Sequence, residues 1–225
     1  MKNNPLLKPK TIKDQQDLDR RARKLAASDR EIAHIFERLG PPPFWRRPPG
    51  LATLVHIVLE QQVSLASGRA AFAKLKSCCG GRISTKRILE LGEKRMHSQA
   101  RLTRQKSKYV LAIAQANQSR ALNFKQLESL PDDQVREQLM QVKGIGIWTA
   151  DVYLLMALRR SDIMPLGDLA LEIELAHMHQ LPERPDNGWL IERAKSWRPN
   201  RAVAARMIWH SYLDRLGRHS EITAI

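Results

Sequence analysis

Apolar residues recur at the spacing of a helix face along nearly the whole chain, and glycine or proline ends most of these runs. One such run follows Ser28, a candidate N-cap residue, and stops before Gly40. We find no segment in which polar and apolar residues alternate over the length of a strand. The chain has 225 residues, 43% of them hydrophobic, so it can bury a sizeable core. The sequence therefore predicts an all-α protein of one or two domains.

The same pattern predicts where the other helices lie. A long apolar run starts at Leu51 and divides into two helices near residues 62–64. Ser84 and Thr103 are candidate caps at the start of two further helices. The remaining helices are predicted at about residues 131–141, 147–159, 169–179, 188–195 and 200–215.

Positive charge is in large excess. The 38 Lys and Arg residues outnumber the 23 Asp and Glu residues, and the formal net charge is +15. This excess predicts a polyanionic partner, either nucleic acid or an anionic membrane surface. A third of the net charge falls in residues 1–24, where eight basic side chains stand against three acidic ones. These residues are predicted to form a basic N-terminal arm, which is either flexible and solvated or in contact with phosphates.

The sequence also excludes several classes of protein. The longest uncharged apolar run, Leu51–Leu59, has nine residues, whereas a membrane-spanning helix needs about 20. The N-terminus has no apolar stretch of the kind that a secretory signal requires. The two cysteines, Cys78 and Cys79, are adjacent in a predicted glycine loop and cannot supply the four thiolates of an iron–sulfur cluster. We therefore expect an intracellular, soluble protein without an iron–sulfur cluster, and we assign no metal-ligating residues.

Two glycines one residue apart separate two of the predicted helices. Gly144 and Gly146 permit positive φ and bring backbone amides close to a ligand. The start of the second helix adds unpaired N–H groups and a partial positive charge. Lys143 adds a cation and Thr149 a hydroxyl. The segment indicates a helix–hairpin–helix that binds a phosphate, and an ordinary turn between helices is the alternative.

Residues Val142–Ala150 resemble the helix–hairpin–helix of the DNA glycosylase superfamily called HhH-GPD. The Gly- and Pro-rich loop and the aspartate of that superfamily are matched by Ile163–Ala170. Leu59–Ser64 and the stretch from Trp197 to Trp209 are similar to its alkylation-repair branch, the 3-methyladenine DNA glycosylase II proteins. The resemblance extends over roughly residues 40–215.

The resemblance implies a two-lobed helical bundle with a cleft between the lobes. One lobe is expected at about residues 44–158 and includes the hairpin at 142–149. The other lobe is expected to combine residues 25–43 with residues 159–225. Both lobes belong to a single glycosylase unit, residues 25–225, that follows the basic arm.

Asp168 is the predicted catalytic residue. It follows Pro165 and Gly167 and precedes a predicted helix, so its alternative role is to cap that helix. The resemblance implies an essential aspartate at this position. Cleavage of a deoxyribose C1′–N bond passes through a state with positive charge on the sugar, and an ionised carboxylate stabilises that charge.

The resemblance also distinguishes glycosylases that only hydrolyse the N-glycosidic bond from bifunctional ones that go on to cleave the strand. Bifunctional members of the superfamily carry a lysine nucleophile two residues after the second hairpin glycine, and Trp148 occupies that position here. The members with an iron–sulfur cluster have a four-cysteine tail, which this sequence lacks. A monofunctional glycosylase that leaves an abasic site is therefore expected.

A base must leave the duplex before its glycosidic bond can be reached, so an aromatic pocket is expected. Trp148 and Trp197 match pocket or near-pocket aromatics of the alkylation branch. Trp45 and Tyr153 are further candidates, and burial in the hydrophobic core is the alternative for these aromatics. An electron-rich pocket suits a methylated purine, whose ring is positively charged. The tyrosine that this branch often carries four residues after the hairpin tryptophan is replaced here by Val152.

Three polar side chains complete the predicted DNA contacts. Gln62 matches the position at which superfamily members insert a polar side chain into the vacated base stack. Its alternative role is a hydrogen bond to the backbone at a helix break. Arg198 and Arg201 are predicted either to bind phosphates or to be surface charges.

The sequence therefore predicts a monofunctional DNA glycosylase that releases alkylated purines such as 3-methyladenine from double-stranded DNA. A helix–hairpin–helix protein that binds DNA without catalysis and a glycosylase for oxidised or mismatched bases are the alternatives. No cofactor is expected, and a structural monovalent cation at the hairpin is left open. We expect a monomer that acts on duplex DNA and not on membranes, in the cytoplasm or nucleoid of a bacterium or the nucleus of a eukaryote.

Overall fold

A computed structural model of the chain describes residues 9–219. Within this range the chain forms twelve α-helices and one short 3-10 helix, and its β-type pairing is limited to one bridge between Thr11 and Arg160. The prediction of an all-α protein is confirmed. In chain order the helices are α1 (Gln15–Ala26), α2 (Arg30–Leu39), α3 (Leu51–Glu60), α4 (Leu65–Cys78), α5 (Thr85–Ser98), α6 (Arg104–Gln118), α7 (Phe124–Leu127), α8 (Asp132–Met140), α9 (Ile147–Met156), α10 (Leu169–Met178), α11 (Asn187–Arg193), the 3-10 helix (Ala194–Trp197) and α12 (Arg201–Arg215).

The described chain divides into two compact units. The first unit is Arg47–Leu158, to which Pro9 is also assigned. The second unit is Lys10–Arg46 together with residues 159–219. Each unit is described by itself below. Between residues 9 and 219, no helix has the length and apolar character needed to cross a membrane.

The boundaries of the units differ from the prediction at two points. The second unit begins at Lys10 and not near residue 25. The boundary predicted near residues 43 and 44 lies after Arg46. The reason lies in contacts within the second unit. The Phe44 carbonyl accepts a hydrogen bond from Arg206 Nε at 3.2 Å, and the Trp45 ring packs against Trp209.

The first unit is built around α3 and α9, which bury residues on nearly all sides. α3 packs against α4, α6 and α9. Its approach to α4 is close at Gly68, where a Cβ would lie 2.6 Å from Glu60 Cγ. The buried Arg47 guanidinium donates to both Glu60 carboxylate oxygens, at 2.8 and 2.7 Å. These contacts fix the end of α3 and therefore the turn that follows it.

The second unit is built around α12, which is buried continuously from residue 202 to residue 211. α1, α2 and α10 pack around it. Arg215 Nε of α12 donates to Glu174 Oε2 of α10 at 2.7 Å, and Ser211 Oγ donates to Glu174 Oε1 at 2.6 Å. This pair of bonds to one buried carboxylate holds α10 in register with α12.

The predicted basic arm, residues 1–24, is wrong for the part that the structure describes. Residues 15–24 belong to α1, which packs against α2 and α12. The extended segment before it is also tied down, because Ile12 N–H donates to the Arg159 carbonyl at 2.8 Å. The apolar residues of α1 recur at helical spacing beneath the charges, and a count of charges does not show this. Residues 1–8 of the predicted arm lie outside the described residues. The buried residues of α1 are Asp17, Leu18, Ala22 and Leu25.

Several helix ends follow the predicted caps. Ser84 and Thr103 cap α5 and α6 through their side-chain oxygens, and the predicted break between α3 and α4 is confirmed. Ser28 is not the cap of α2. Asp29 takes that role, with its Oδ1 accepting from two N–H groups of the first turn at 3.1 Å each. The short α7 was not predicted, because four residues are too few to show a periodic pattern.

Candidate functional site

The predicted hairpin joins α8 to α9. Val142 and Ile145 are buried and anchor the loop. Gly144 has φ +92°, in the left-handed region that favours glycine. A Cβ at this position would lie 2.1 to 2.5 Å from atoms of the Tyr109 ring. The backbone conformation and the close contact both require glycine at 144.

Gly146 has a different role. Its backbone is extended, with φ −101° and ψ −178°, which any residue can adopt, and a Cβ would meet no atom within 4 Å. Gly146 is the N-cap of α9, and among the described residues no side chain caps this helix start. The bare backbone, the N–H groups of the first turn and the exposed Lys143 lie together on the surface. The partial positive charge of a helix N-terminus makes this arrangement suitable for a phosphate.

Thr149 faces the protein interior. It is 1% exposed, and its Oγ1 accepts a hydrogen bond from Gln61 Nε2 at 2.8 Å. The same Nε2 donates to the Gly144 carbonyl at 3.0 Å. The predicted contact of the Thr149 hydroxyl with DNA is wrong, because the third residue of α9 points towards the end of α3.

An ion pair joins the two helices of the hairpin. Arg136 Nε of α8 donates to Oδ1 of the buried Asp151 of α9 at 2.7 Å. Burial by itself would lower the pKa of the Arg136 guanidinium, but Asp151 and Asp133 raise that pKa above its ordinary value. The guanidinium therefore stays charged, and the pair holds α8 against α9.

Gln62 lies in the turn between α3 and α4. Its side chain is exposed and its φ is +57°, a conformation that costs a residue with a side chain about 1–2 kcal/mol. The next residue, Val63, is also exposed. Strained residues persist where their surroundings hold them, and they are common at functional sites. The position suits a side chain inserted into a base stack, and that role stays a prediction.

Asp168 lies at the start of α10 in the second unit and is 7% exposed. Its Oδ1 accepts a hydrogen bond from Leu171 N–H at 3.0 Å, so it is the N-cap of the helix, as its sequence context indicates. The same oxygen accepts a second bond from Trp209 Nε1, also at 3.0 Å. Two N–H donors and the helix N-terminus thus stabilise a negative charge that is almost removed from water.

Trp209 forms an aromatic pair with Trp45 beside this carboxylate. The two ring centroids are 6.4 Å apart with the planes tilted by 59°, and the residues are 8% and 5% exposed. Trp45 has φ +41°, another left-handed conformation at a residue with a large side chain. Sequence reasoning did not assign a role to Trp209. Its signal was its position at the end of one of the stretches that resemble the glycosylases.

Arg206 of α12 contacts Phe44, the residue before Trp45. It is fully buried in α12, its Nε donates to the Phe44 carbonyl at 3.2 Å, and its guanidinium lies 5.9 Å from the Phe44 ring centroid. Burial lowers the pKa of Arg206 to about 9, so the side chain still carries its charge at neutral pH. The segment that presents Trp45 is therefore bound to the helix that presents Trp209.

The predicted pocket role is wrong for two aromatic residues, Trp197 and Tyr153, because both lie in the hydrophobic core. Trp197 is fully buried in the second unit, its Nε1 donates to Asp29 Oδ2 at 2.8 Å, and the Arg193 guanidinium lies 4.4 Å from its ring centroid. Tyr153 is fully buried in the first unit, where its hydroxyl accepts from Gly50 N–H at 2.9 Å. Burial raises the pKa of this hydroxyl. Neither ring has a free face for a base.

The other predicted site residues are placed as follows. Trp148 is half-buried in the first turn of α9, in the first unit. Arg198 is exposed at the surface of the second unit. Arg201 forms two bonds to the Asp162 carboxylate, at 2.8 and 3.0 Å, and a third to the Asp162 carbonyl at 2.8 Å. The Arg201 guanidinium is therefore bound to Asp162, and its predicted phosphate contact stays a prediction.

The fold and these two sets of residues agree with a known family. The profile of the HhH-GPD superfamily of base excision DNA repair proteins matches residues 55–199 of the chain. This range covers the Gln62 turn, the glycine hairpin and Asp168. The chain belongs to the HhH-GPD superfamily, and the family predicted from the sequence motifs is confirmed.

Named relatives agree with the alkylation-repair branch of that superfamily. The chain is 28% identical over 158 residues to DNA-3-methyladenine glycosylase 1 of Schizosaccharomyces pombe, and the match covers 69% of each chain. It is 23% identical over 199 residues to the alkylbase DNA glycosidase-like protein mag2 of the same yeast, covering 86% of this chain and 93% of the relative.

Solved structures agree in fold. The S. pombe 3-methyladenine DNA glycosylase Mag1 in complex with abasic DNA superposes with a TM-score of 0.77 at 24% identity, covering 84% of this chain and 95% of Mag1. A DNA-3-methyladenine glycosidase from Bacillus halodurans superposes with a TM-score of 0.72 at 24% identity, covering 88% and 91% of the two chains. The helical architecture is therefore the one that these glycosylases use.

Proposed function

We propose that this chain is a monofunctional DNA glycosylase that hydrolyses the N-glycosidic bond of alkylated purines such as 3-methyladenine. The observation that carries the proposal is the buried Asp168 carboxylate, held by Trp209 Nε1 and the N-terminus of α10. A helix–hairpin–helix protein that only binds DNA has no use for this carboxylate or for the aromatic pair beside it. The names of the relatives in S. pombe support alkylated purines as the substrate class.

Asp168 acts through its charge in this reaction. As the C1′–N bond breaks, the bonding electron pair leaves with the base and positive charge develops on the deoxyribose. A carboxylate already held in place by two N–H donors stabilises that charge without reorganising. A water molecule then adds to C1′ and loses a proton, which leaves an abasic site. A purine that carries an alkyl group and a positive charge leaves without a general acid.

The aromatic pair supports the recognition of a cationic base. The faces of tryptophan rings attract cations, and this attraction is stronger where water is excluded. Trp45 and Trp209 provide two such rings in contact with each other and, through Trp209, with Asp168. We propose that they meet the extruded purine, since they lie beside the Asp168 carboxylate.

In this proposal the first unit binds the DNA backbone. The uncapped start of α9, the bare Gly146 and the exposed Lys143 bind a backbone phosphate without reading sequence. Gln62 enters the stack in place of the extruded base. Trp148, at the position of the lysine nucleophile of bifunctional members, has no amine that can form a Schiff base with the sugar, which is why strand cleavage is not part of the proposal.

We further propose that the reaction needs no cofactor and that a monomer acts on duplex DNA inside the cell. Hydrolysis consumes only water, and the charge that it requires comes from Asp168. A monovalent cation at the hairpin, which the sequence leaves open, stays a prediction. Across residues 9–219 no group of three or more His, Cys, Asp or Glu side chains is placed to hold a metal ion.

The proposal is tested by base release from duplex DNA that has been treated with a methylating agent. We expect free 3-methyladenine in the soluble fraction, in amounts equal to the abasic sites formed, and intact strands until the sites are cleaved with alkali. Borohydride present during the reaction should trap no protein–DNA adduct, with a bifunctional glycosylase as the positive control. Binding without release would support the non-catalytic alternative, and release of oxidised bases instead would support the other glycosylase specificity.

A further inference from the structure

Gln61 connects the turn that carries Gln62 with the phosphate-binding hairpin. It is the C-cap residue of α3, one position before Gln62 in the chain. Its Nε2 lies 3.0 Å from the Gly144 carbonyl and 2.8 Å from Thr149 Oγ1. Both distances are those of good hydrogen bonds, and a primary amide has two hydrogens to donate. One side chain thus holds the loop of the hairpin and the first turn of α9 at once.

Helix α6 also contacts both the end of α3 and the hairpin. Lys106 Nζ donates to the Leu59 carbonyl near the end of α3 at 2.6 Å, and burial lowers the pKa of this amine. Tyr109, one turn further along α6, packs its ring against Gly144 so closely that a Cβ there would clash with it. The end of α3 and the hairpin therefore rest on one helix and are joined to each other by Gln61.

From these contacts we infer that Gln61 is a positioning residue that fixes the Gln62 turn relative to the hairpin. A phosphate held at the start of α9 then places Gln62 at a set distance along the duplex. This inference rests on the proposed function, because it assigns to Gln61 the coupling of phosphate binding to base extrusion.

The strain at Gln62 agrees with this role. A left-handed backbone at a residue with a side chain persists only where neighbouring contacts hold it. The folded core of the first unit is secured elsewhere, by the buried faces of α3 and α9 and by the ion pair of Arg47 with Glu60. Loss of the Gln61 amide should therefore change the Gln62 turn while the unit remains folded.

The test uses Gln61→Met, which keeps an unbranched side chain of similar length and removes both donated hydrogens without adding charge. Gln99→Met is the matched control, because Gln99 is an exposed C-cap residue of α5 in the same unit. Each protein is bound to a duplex in which 2-aminopurine lies next to the base pair to be opened. The fluorescence of this base rises when its stacking partner is displaced. Excision of 3-methyladenine is measured in a single turnover, and affinity is measured on undamaged duplex.

We expect Gln61→Met to lose the fluorescence rise and to slow excision about tenfold, since two hydrogen bonds are removed. Its affinity for undamaged duplex should stay within about twofold of the wild type, because the hairpin remains. Gln99→Met should match the wild type in all three measurements. If affinity and fluorescence fall together, or if excision is unchanged, Gln61 does not position Gln62 and the inference is overturned.

A double variant separates positioning from a general loss of structure. If Gln61 acts through Gln62, then Gln61→Met added to Gln62→Ala should slow excision no further than Gln62→Ala alone. Fully additive losses would contradict the inference. Should Gln61→Met unfold at the temperature used, Gln61→Ala removes the same donors and takes its place. A wild type that shows the fluorescence rise but releases no base would refute the proposed glycosylase, while the fluorescence of the variants would still decide the role of Gln61.

Discussion

The candidate site of the first unit exposes positively charged and N–H groups, whereas that of the second unit buries a carboxylate and two aromatic rings. Residues 47–158 hold 17 Lys and Arg against 8 Asp and Glu, and their hairpin presents bare backbone to solvent. Residues 10–46 and 159–219 hold 19 basic against 14 acidic residues, and their Asp168, Trp45 and Trp209 are nearly buried. A phosphate on the outside of a duplex must be met at the surface. A carboxylate that stabilises a sugar cation acts most strongly where water is excluded.

This difference between the units predicts that base release and duplex binding can be abolished by separate substitutions. The largest effect is expected from Asp168→Asn, which keeps the cap of α10 but removes the charge. We expect the single-turnover rate of 3-methyladenine release to fall about 10²–10³-fold with duplex affinity unchanged. Asp186→Asn, at the cap of α11 in the same unit, is the control and should keep full activity. Equal rates for the two variants would show that Asp168 is only a cap.

The next largest effect is expected at the hairpin, where two glycines have different roles. Gly144→Ala places a Cβ against the Tyr109 ring and forces a left-handed backbone on alanine, so it should lower the melting temperature and weaken duplex binding about 100-fold. Gly146→Ala meets open space, so the melting temperature should stay unchanged. Its methyl group lies where a phosphate would approach, and binding should weaken about tenfold. Titration of a labelled duplex, with calorimetry of the free proteins, checks both.

A smaller effect is expected from Trp209→Phe, which keeps an aromatic ring and removes the Nε1–H donor to Asp168. The carboxylate then loses one of its two N–H donors, and we expect the rate of base release to fall about tenfold with no change in duplex affinity. Trp189→Phe, at an aromatic residue of α11, is the matched control. An equal rate for Trp209→Phe and wild type would show that the bond does not contribute to catalysis.

Acidic pH should destabilise both units. Burial is the main reason that the pKa of His56 in the first unit and that of His210 in the second are lowered in the folded protein. The unfolded chain therefore binds more protons below the ordinary histidine value of about 6.5, and the stability contributed above that value is lost as the pH falls. We expect the melting temperature to decrease by a few degrees between pH 7.5 and pH 5. Replacing the exposed His34 by Gln should leave this pH dependence unchanged, whereas His210→Gln should reduce it.

The smallest effect is expected from Lys143→Gln. A single exposed lysine that contacts one phosphate contributes about one unit to the slope of log affinity against log salt concentration. The slope for the variant should be shallower by about that amount, and base release at saturating enzyme should be unaffected. Lys125→Gln, at an exposed lysine of the same unit, is the control and should leave the slope unchanged. A Lys143 variant with the wild-type slope would place the phosphate elsewhere.

The sequence was informative about elements whose signal is local. The break between α3 and α4, the caps at Ser84 and Thr103 and the cap at Asp168 depend on residues close in the chain, and all were predicted. The hairpin was predicted as well. Only the structure separates Gly144, which the fold requires, from Gly146, which it does not.

The errors at the candidate site concern contacts between distant residues. Thr149, Trp197 and Tyr153 have the residue types expected at a DNA site, but each is bound to a partner far away in the chain. Local pattern does not show which face of a helix is covered or which carboxylate is nearby. Trp209 was overlooked for the same reason, since its bond to Asp168 spans 41 positions.

Arg206 and Trp209 lie three positions apart on α12, so they share a face of one helix. Arg206 holds the Phe44 carbonyl and with it the segment that carries Trp45. The spacing of the two tryptophans therefore depends on a buried residue that no base touches. If the two tryptophans meet the purine as proposed, substitutions at position 206 or 44 should change the selectivity among damaged purines without altering any residue that contacts the base.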